Sequence, residues 1–118
     1  MALGAFGAHG LKQWVTPESI AVFQTGVQYQ MYHALALVLV GLLGGRIAGK
    51  WIRVTGYFFL LGVFFFSGSL YTITAFHAAD RSVPVIVGIL TPLGGTFFIA
   101  GWLSLFLGTL ARPAKEEV

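Results

Sequence analysis

The chain contains no cysteine, and that absence removes two classes of protein at once. A disulfide-stapled scaffold needs paired cysteines, and thiolate-ligated zinc or iron–sulfur centres need them as ligands. Charge is nearly as scarce. Asp, Glu, Lys and Arg make up 9% of the 118 residues, against about 25% in an ordinary soluble domain. A small domain has a large surface for its volume and needs polar groups to cover it, and seven basic plus four acidic side chains do not suffice. Disorder is excluded from the other direction, because 57% of the residues are hydrophobic and the mean hydropathy is +0.84. An integral membrane protein remains. The net charge of +3 does not point to nucleic acid, since the basic residues are thinly spread at the ends of apolar runs instead of clustered on one stripe.

No Asp, Glu, Lys or Arg occurs in residues 1–11, 19–45, 54–79 or 82–111. About 20 apolar residues cover a hydrocarbon core as a helix, so the last three runs qualify as spans. Lipid requires every backbone polar group to be paired internally. The runs do not alternate as barrel strands would, which leaves helices. The expectation is an all-α, polytopic membrane bundle forming one domain over 1–118, with segments at about 1–11, 17–45, 51–79 and 84–111. Thr16-Pro17-Glu18 reads as an N-cap, a proline at the first helical position and an acid in the first turn. Gly44-Gly45-Arg46 ends that helix, and Ser82-Val83-Pro84 opens the last one. The first run is short: 11 residues rise only about 16 Å as a helix. It is expected to be a half-span, a re-entrant piece or a helix lacking its beginning, beside three full spans.

Orientation follows from Lys and Arg. Arg46, Lys50, Arg53, Arg112 and Lys115 fall on one side and only Lys12 and Arg81 on the other. The positive-inside rule then places the C-terminus in the cytoplasm.

Sixteen glycines suit close helix packing in lipid, where small residues let backbones approach. Gly41 and Gly45 form a GxxxG pair, and Gly94, Gly101 and Gly108 recur every seven residues. These are candidate packing positions, either within one bundle or toward a second copy or a larger membrane complex. The second helix is the most informative. Ile20, Phe23, Val27, Met31 and Val38 form an apolar stripe at helical spacing, while Thr25, Gln28, Tyr29, Tyr32 and His33 cover much of the other side. Such polarity must face the bundle interior, a vestibule or a partner. Ser67, Tyr71 and Thr74 offer matching groups on the third segment, with Ser69 and Thr72 nearby. On the fourth, Thr91-Pro92 is expected to interrupt the helix, because Pro92 deprives the Gly88 carbonyl of its donor. Gln28, Tyr29, His33, Ser67, Tyr71 and Thr91 are therefore the candidate polar pocket.

Four strings bring a resemblance with them: Ala2-Leu3-Gly4-Ala5-Phe6-Gly7-Ala8-His9-Gly10-Leu11; Thr25-Gly26 with Tyr29-Gln30 and His33-Ala34-Leu35-Ala36; Phe66-Ser67-Gly68-Ser69-Leu70-Tyr71; and Thr91-Pro92 with Gly94-Gly95 and Gly101-Trp102. In this order they resemble the domain of unknown function 423 family, which comprises YgdD-like bacterial inner-membrane proteins and the eukaryotic transmembrane protein 256. The resemblance covers essentially the whole chain and implies a four-helix membrane protein without an assigned activity. Members carry more residues before the first of these motifs, and this sequence departs from them there.

His33 is either a functional group, as an imidazole within a span must be partnered, or a neutral residue locked by bonds to Tyr71, Ser67 or Gln28. The spacing of His9, His33 and His77 does not favour haem, and no His/carboxylate set favours zinc. No carboxylate lies inside a span to orient a histidine base toward Ser67 or Ser69. The expectation is a protein without catalytic residues, cofactor or metal. It is a structural or accessory component packing through glycine-rich faces, or alternatively a binder or transporter of a small ligand, lipid or ion. The lipid bilayer is its environment, with a homo-oligomer or larger complex as the further partner and no nucleic acid.

Overall fold

The computed structural model describes residues 1–111, which hold five α-helices and no strand. α1 is Ala2–His9, followed by a 3-10 turn at Leu11–Gln13. α2 is Pro17–Leu42, α3 Gly49–Gly62, α4 Gly68–Ala78 and α5 Val85–Leu110. Between α3 and α4 the residues Val63–Ser67 form a π-helix, so the three pieces make one 30-residue rod, Gly49–Ala78.

That rod and α5 are each long and apolar enough to cross a membrane, with mean hydropathy 1.7 in both. α2 matches α5 at 26 residues, about 39 Å of helix, but its polar set makes it less apolar. It lies along the Gly49–Ala78 rod from end to end. Ser19 meets His77 near its start, the Gly26 carbonyl meets Ser67 midway, and Val40 joins Ile47 and Phe59 in the core near its end. The three long helices thus share one depth. α1, at eight residues about 12 Å long, covers only the first half of α2, where Gly4 faces Val27 and Gly7 faces Phe23 and Gln24.

Local chemistry sets the ends. Thr16 caps α2 by accepting the Ser19 amide at 3.3 Å, with Pro17 behind it. The α2–α3 turn needs a left-handed residue and has Gly45 at φ +84°. Asp80, at φ 55°, closes α4, and the Arg81 amide reaches back to the Phe76 carbonyl at 2.9 Å.

The core is small: Ala36, Val40, Ile47, Phe59, Phe98 and Leu105, flanked by Trp51, Val63 and Phe66 among others. Large apolar side chains such as Leu42, Phe64, Val85 and Ile99 lie exposed around it. In water such a surface would aggregate; against acyl chains it needs no cover.

Three expectations change. Pro92 does not interrupt its helix, for α5 runs unbroken from Val85 to Leu110. One missing donor is too small a loss to break a helix packed against its neighbours. The third segment contains a π-turn that no proline or charge announces. The buried stripe of α2 is Ser19, Phe23, Gly26, His33, Ala36 and Val40, so of the apolar stripe Phe23 turns inward while Val38 is 61% exposed. Small and polar residues face the bundle because lipid already solvates the apolar ones. Arg112 and Lys115, which support the orientation, lie outside the described residues.

Candidate functional site

α2 and α5 bring His33 and Trp102 together across the bundle. His33 is 3% exposed. The Trp102 indole N–H points at His33 Nε2 from 3.0 Å, and His33 Nδ1 lies 2.7 Å from the Tyr29 carbonyl. An indole only donates, so Nε2 accepts, and Nδ1 carries the proton that it donates to Tyr29. One neutral tautomer therefore satisfies every polar atom in the cluster. The imidazole stacks on Phe98 with centroids 3.6 Å apart and planes at 11°, and the Phe59 ring meets it edge-on at 5.2 Å. No ring nitrogen is left for a ligand.

The other candidates lie elsewhere. The Ser67 hydroxyl, at the end of the π-turn, donates to the Gly26 carbonyl at 2.7 Å and ties the rod to α2. Tyr71 donates to Gln30 Oε1 at 2.5 Å. Thr91 shares a 2.6 Å bond with Ser69, which joins α5 to α4. Tyr29 contributes its carbonyl to His33, while its ring packs on Phe66 with centroids 4.7 Å apart. Gln28 is exposed on α2 and joins none of these bonds. His33, Ser67, Tyr71 and Thr91 thus form separate interhelical ties, and the six residues do not line one pocket. A groove of about 360 Å³ does lie over Ser67-Gly68-Ser69, between Gln30 and Tyr71 on one side and Val87 and Leu90 on the other. It takes in only Ser67 and Tyr71 of the six, and its walls are mostly carbon.

Sequence reasoning missed Trp102 as the partner of His33. Only part of the signal was available, since an indole N–H inside a span needs an acceptor and a neutral imidazole is one of several side chains that supply it. Gln30 as the acceptor of Tyr71 had no comparable signal.

The glycines divide as well. A methyl group on Gly94 would fall within the backbone of Phe66, one on Gly101 would come to 2.6 Å from the Phe59 ring, and one on Gly108 to 2.8 Å from Trp51 Cβ. This stripe is consumed inside the bundle. Gly41 and Gly45 would meet nothing within 4 Å.

Membrane-spanning apolar rods tied by neutral side-chain hydrogen bonds define a small polytopic α-helical membrane protein. Comparison with known proteins makes the class specific. The family model described as "Protein of unknown function (DUF423)" matches residues 3–95, and the chain belongs to that family. It is 42% identical over 106 residues to a UPF0382 membrane protein of Staphylococcus haemolyticus, covering 90% of this chain and 81% of that one. A UPF0382 membrane protein of Haemophilus influenzae is 43% identical over 109 residues, 92% of this chain and 82% of its own. The UPF0382 inner membrane protein YgdD of Escherichia coli is 34% identical over 115 residues, 98% and 83% of the two chains. No solved structure matches.

Proposed function

We propose that the protein is a non-enzymatic structural or accessory component of a bacterial inner membrane, with its C-terminus in the cytoplasm, that docks on itself or on a larger membrane complex. One observation carries this reading. The hydrogen-bonding groups of His33, Ser67, Tyr71 and Thr91 are engaged in ties between helices, while Gly41 on α2 stands open among exposed Leu35, Val38 and Leu42. A small residue within an apolar face lets a second helix approach closely. Orientation rests on the Lys/Arg distribution of the sequence. Native mass spectrometry of protein extracted from membranes tests the docking role: Gly41→Leu is expected to lower the oligomer mass or release a partner while the fold persists. An unchanged assembly would count against the proposal.

The groove over Ser67-Gly68-Ser69 supports a second reading, a site for a small apolar ligand, because a π-turn forms its wall and such turns are frequent at functional sites. On that reading Gly68→Leu removes a small molecule that co-purifies, and His33→Ala does not.

A further inference from the structure

At the end of the bundle that carries the 10–16 and 79–84 segments, two concavities meet at Trp14. One is an apolar groove of about 510 Å³ between α1 and α4. Its floor is Phe23, which packs on Phe6 at 6.3 Å and on Tyr71 at 5.0 Å between centroids. Leu11 and Trp14 stand on one side, Ala75 and Ala79 on the other. Along it the Thr74 hydroxyl is engaged with the Leu70 carbonyl and the Tyr71 hydroxyl with Gln30. The groove presents carbon. From Tyr71 to Ala79 it follows about 12 Å of helix, a depth that reaches from the headgroup region into the acyl chains.

The second concavity is an open, polar cleft of about 800 Å³, lined by Gln13, Trp14, Thr16, His77, Asp80 and Arg81 among others. His77 Nδ1 lies 2.8 Å from the Ser19 hydroxyl, so that pair is engaged within the protein. Asp80 and Arg81 are exposed and adjacent, one negative and one positive. Asp80 takes the left-handed backbone, φ 55°, that closes α4, a conformation Asp adopts more readily than most residues. Trp14, 65% exposed at the junction, is the side chain that interfaces favour.

We propose that this continuous cleft and groove seat one zwitterionic phospholipid of the phosphoethanolamine class. An acyl chain lies along Phe23 between α1 and α4, the phosphate pairs with Arg81 and the ammonium with Asp80. Charge complementarity selects this occupant. A helix of a second copy, about 10–12 Å across with its side chains, is too wide for a groove of about 510 Å³, whereas an acyl chain fits it. The site lies at the opposite end of α2 from Gly41, so it stands or falls independently of the docking role.

The test is lipid retention by the full chain, delipidated in detergent and followed by native mass spectrometry. Dioleoyl phosphatidylethanolamine is expected to bind at one per chain, at least tenfold tighter than its chainless glycerophosphoethanolamine. Ala75→Trp and Ala79→Trp, both at exposed positions, should each cut retention at least tenfold without lowering the thermal midpoint. Arg81→Gln should weaken phosphatidylethanolamine and phosphatidylglycerol alike, about fivefold. Asp80→Asn, which tolerates the left-handed backbone, should weaken only phosphatidylethanolamine and erase its preference over phosphatidylglycerol. Retention unchanged in both tryptophan variants overturns the proposal. So does equal binding of the chainless headgroup, or a dimer peak that Ala75→Trp abolishes with no lipid present, which would make the occupant a second copy.

Discussion

Gly94 and Gly41 are the same residue in helices of equal length, yet they do opposite things. Gly94 lets α5 press against the backbone of Phe66 at the π-turn, so closely that one methyl group would not fit. Gly41 meets nothing within 4 Å. The difference teaches that a small-residue motif in lipid is a permission to approach, and that the neighbour's shape decides whether the approach happens inside the chain or outside it. Around Gly94, Gly101 and Gly108 the neighbour is the rod Gly49–Ala78, with Phe66, Phe59 and Trp51 each filling a glycine-made hollow. Around Gly41 the described residues supply no neighbour, and the surrounding Leu35, Val38, Leu39 and Leu42 are exposed.

The comparison can be broken most violently at Gly94. Gly94→Leu forces backbone to move and is expected to destabilise the bundle by about 3 kcal/mol or more, read as a drop in thermal midpoint in detergent; a midpoint within 1–2 degrees of the parent, on the order of measurement scatter, would refute the packing described. Next comes His33→Ala, which empties the stack on Phe98 and leaves the Trp102 indole without an acceptor, at about 2–3 kcal/mol. Trp102→Phe tests the same tie from α5. In a double-mutant cycle the two should couple by about 1 kcal/mol, the range of interhelical bonds in membranes, and additive effects would mean the bond contributes nothing. Ser67→Ala, which frees only the Gly26 carbonyl, should cost about 0.6–1 kcal/mol. Gly41→Leu is the smallest for the fold, with an expected change near zero, about 0.5 kcal/mol at most, and its effect should appear in oligomer mass instead. Equal destabilisation by Gly94→Leu and Gly41→Leu would erase the distinction between the two motifs.

Part of this was legible from residues alone. Thr16-Pro17 signals the start of α2 with a hydroxyl and a ring of the right kind, and the structure uses both. The glycine run of 44–45 marks a turn that does need positive φ. Of the polar side of α2, only His33 is buried among the other helices, while Gln28, Tyr29 and Tyr32 are exposed. The partners were less legible. The sequence offers Tyr71, Ser67 or Gln28 as partners of His33, yet Trp102 takes the bond, 69 positions away. Depth along the membrane normal follows from counting residues; rotation about a helix axis does not, and rotation chooses the partner.

What the sequence by itself determined is the solvent and the class of element. With so few charges and four apolar runs, only helices in lipid satisfy the backbone, and the family follows from its motifs. What only the tertiary structure decided is which faces meet. A π-turn at Val63–Ser67 changes the phase of one helix face relative to the next, since each π-turn takes in more residues than an α-turn. Gly94, Gly101 and Gly108 of α5 then meet Phe66, Phe59 and Trp51, and Gly26 of α2 meets Tyr71, while Gly41 remains open, because in lipid close packing and interhelical hydrogen bonds choose which faces turn inward.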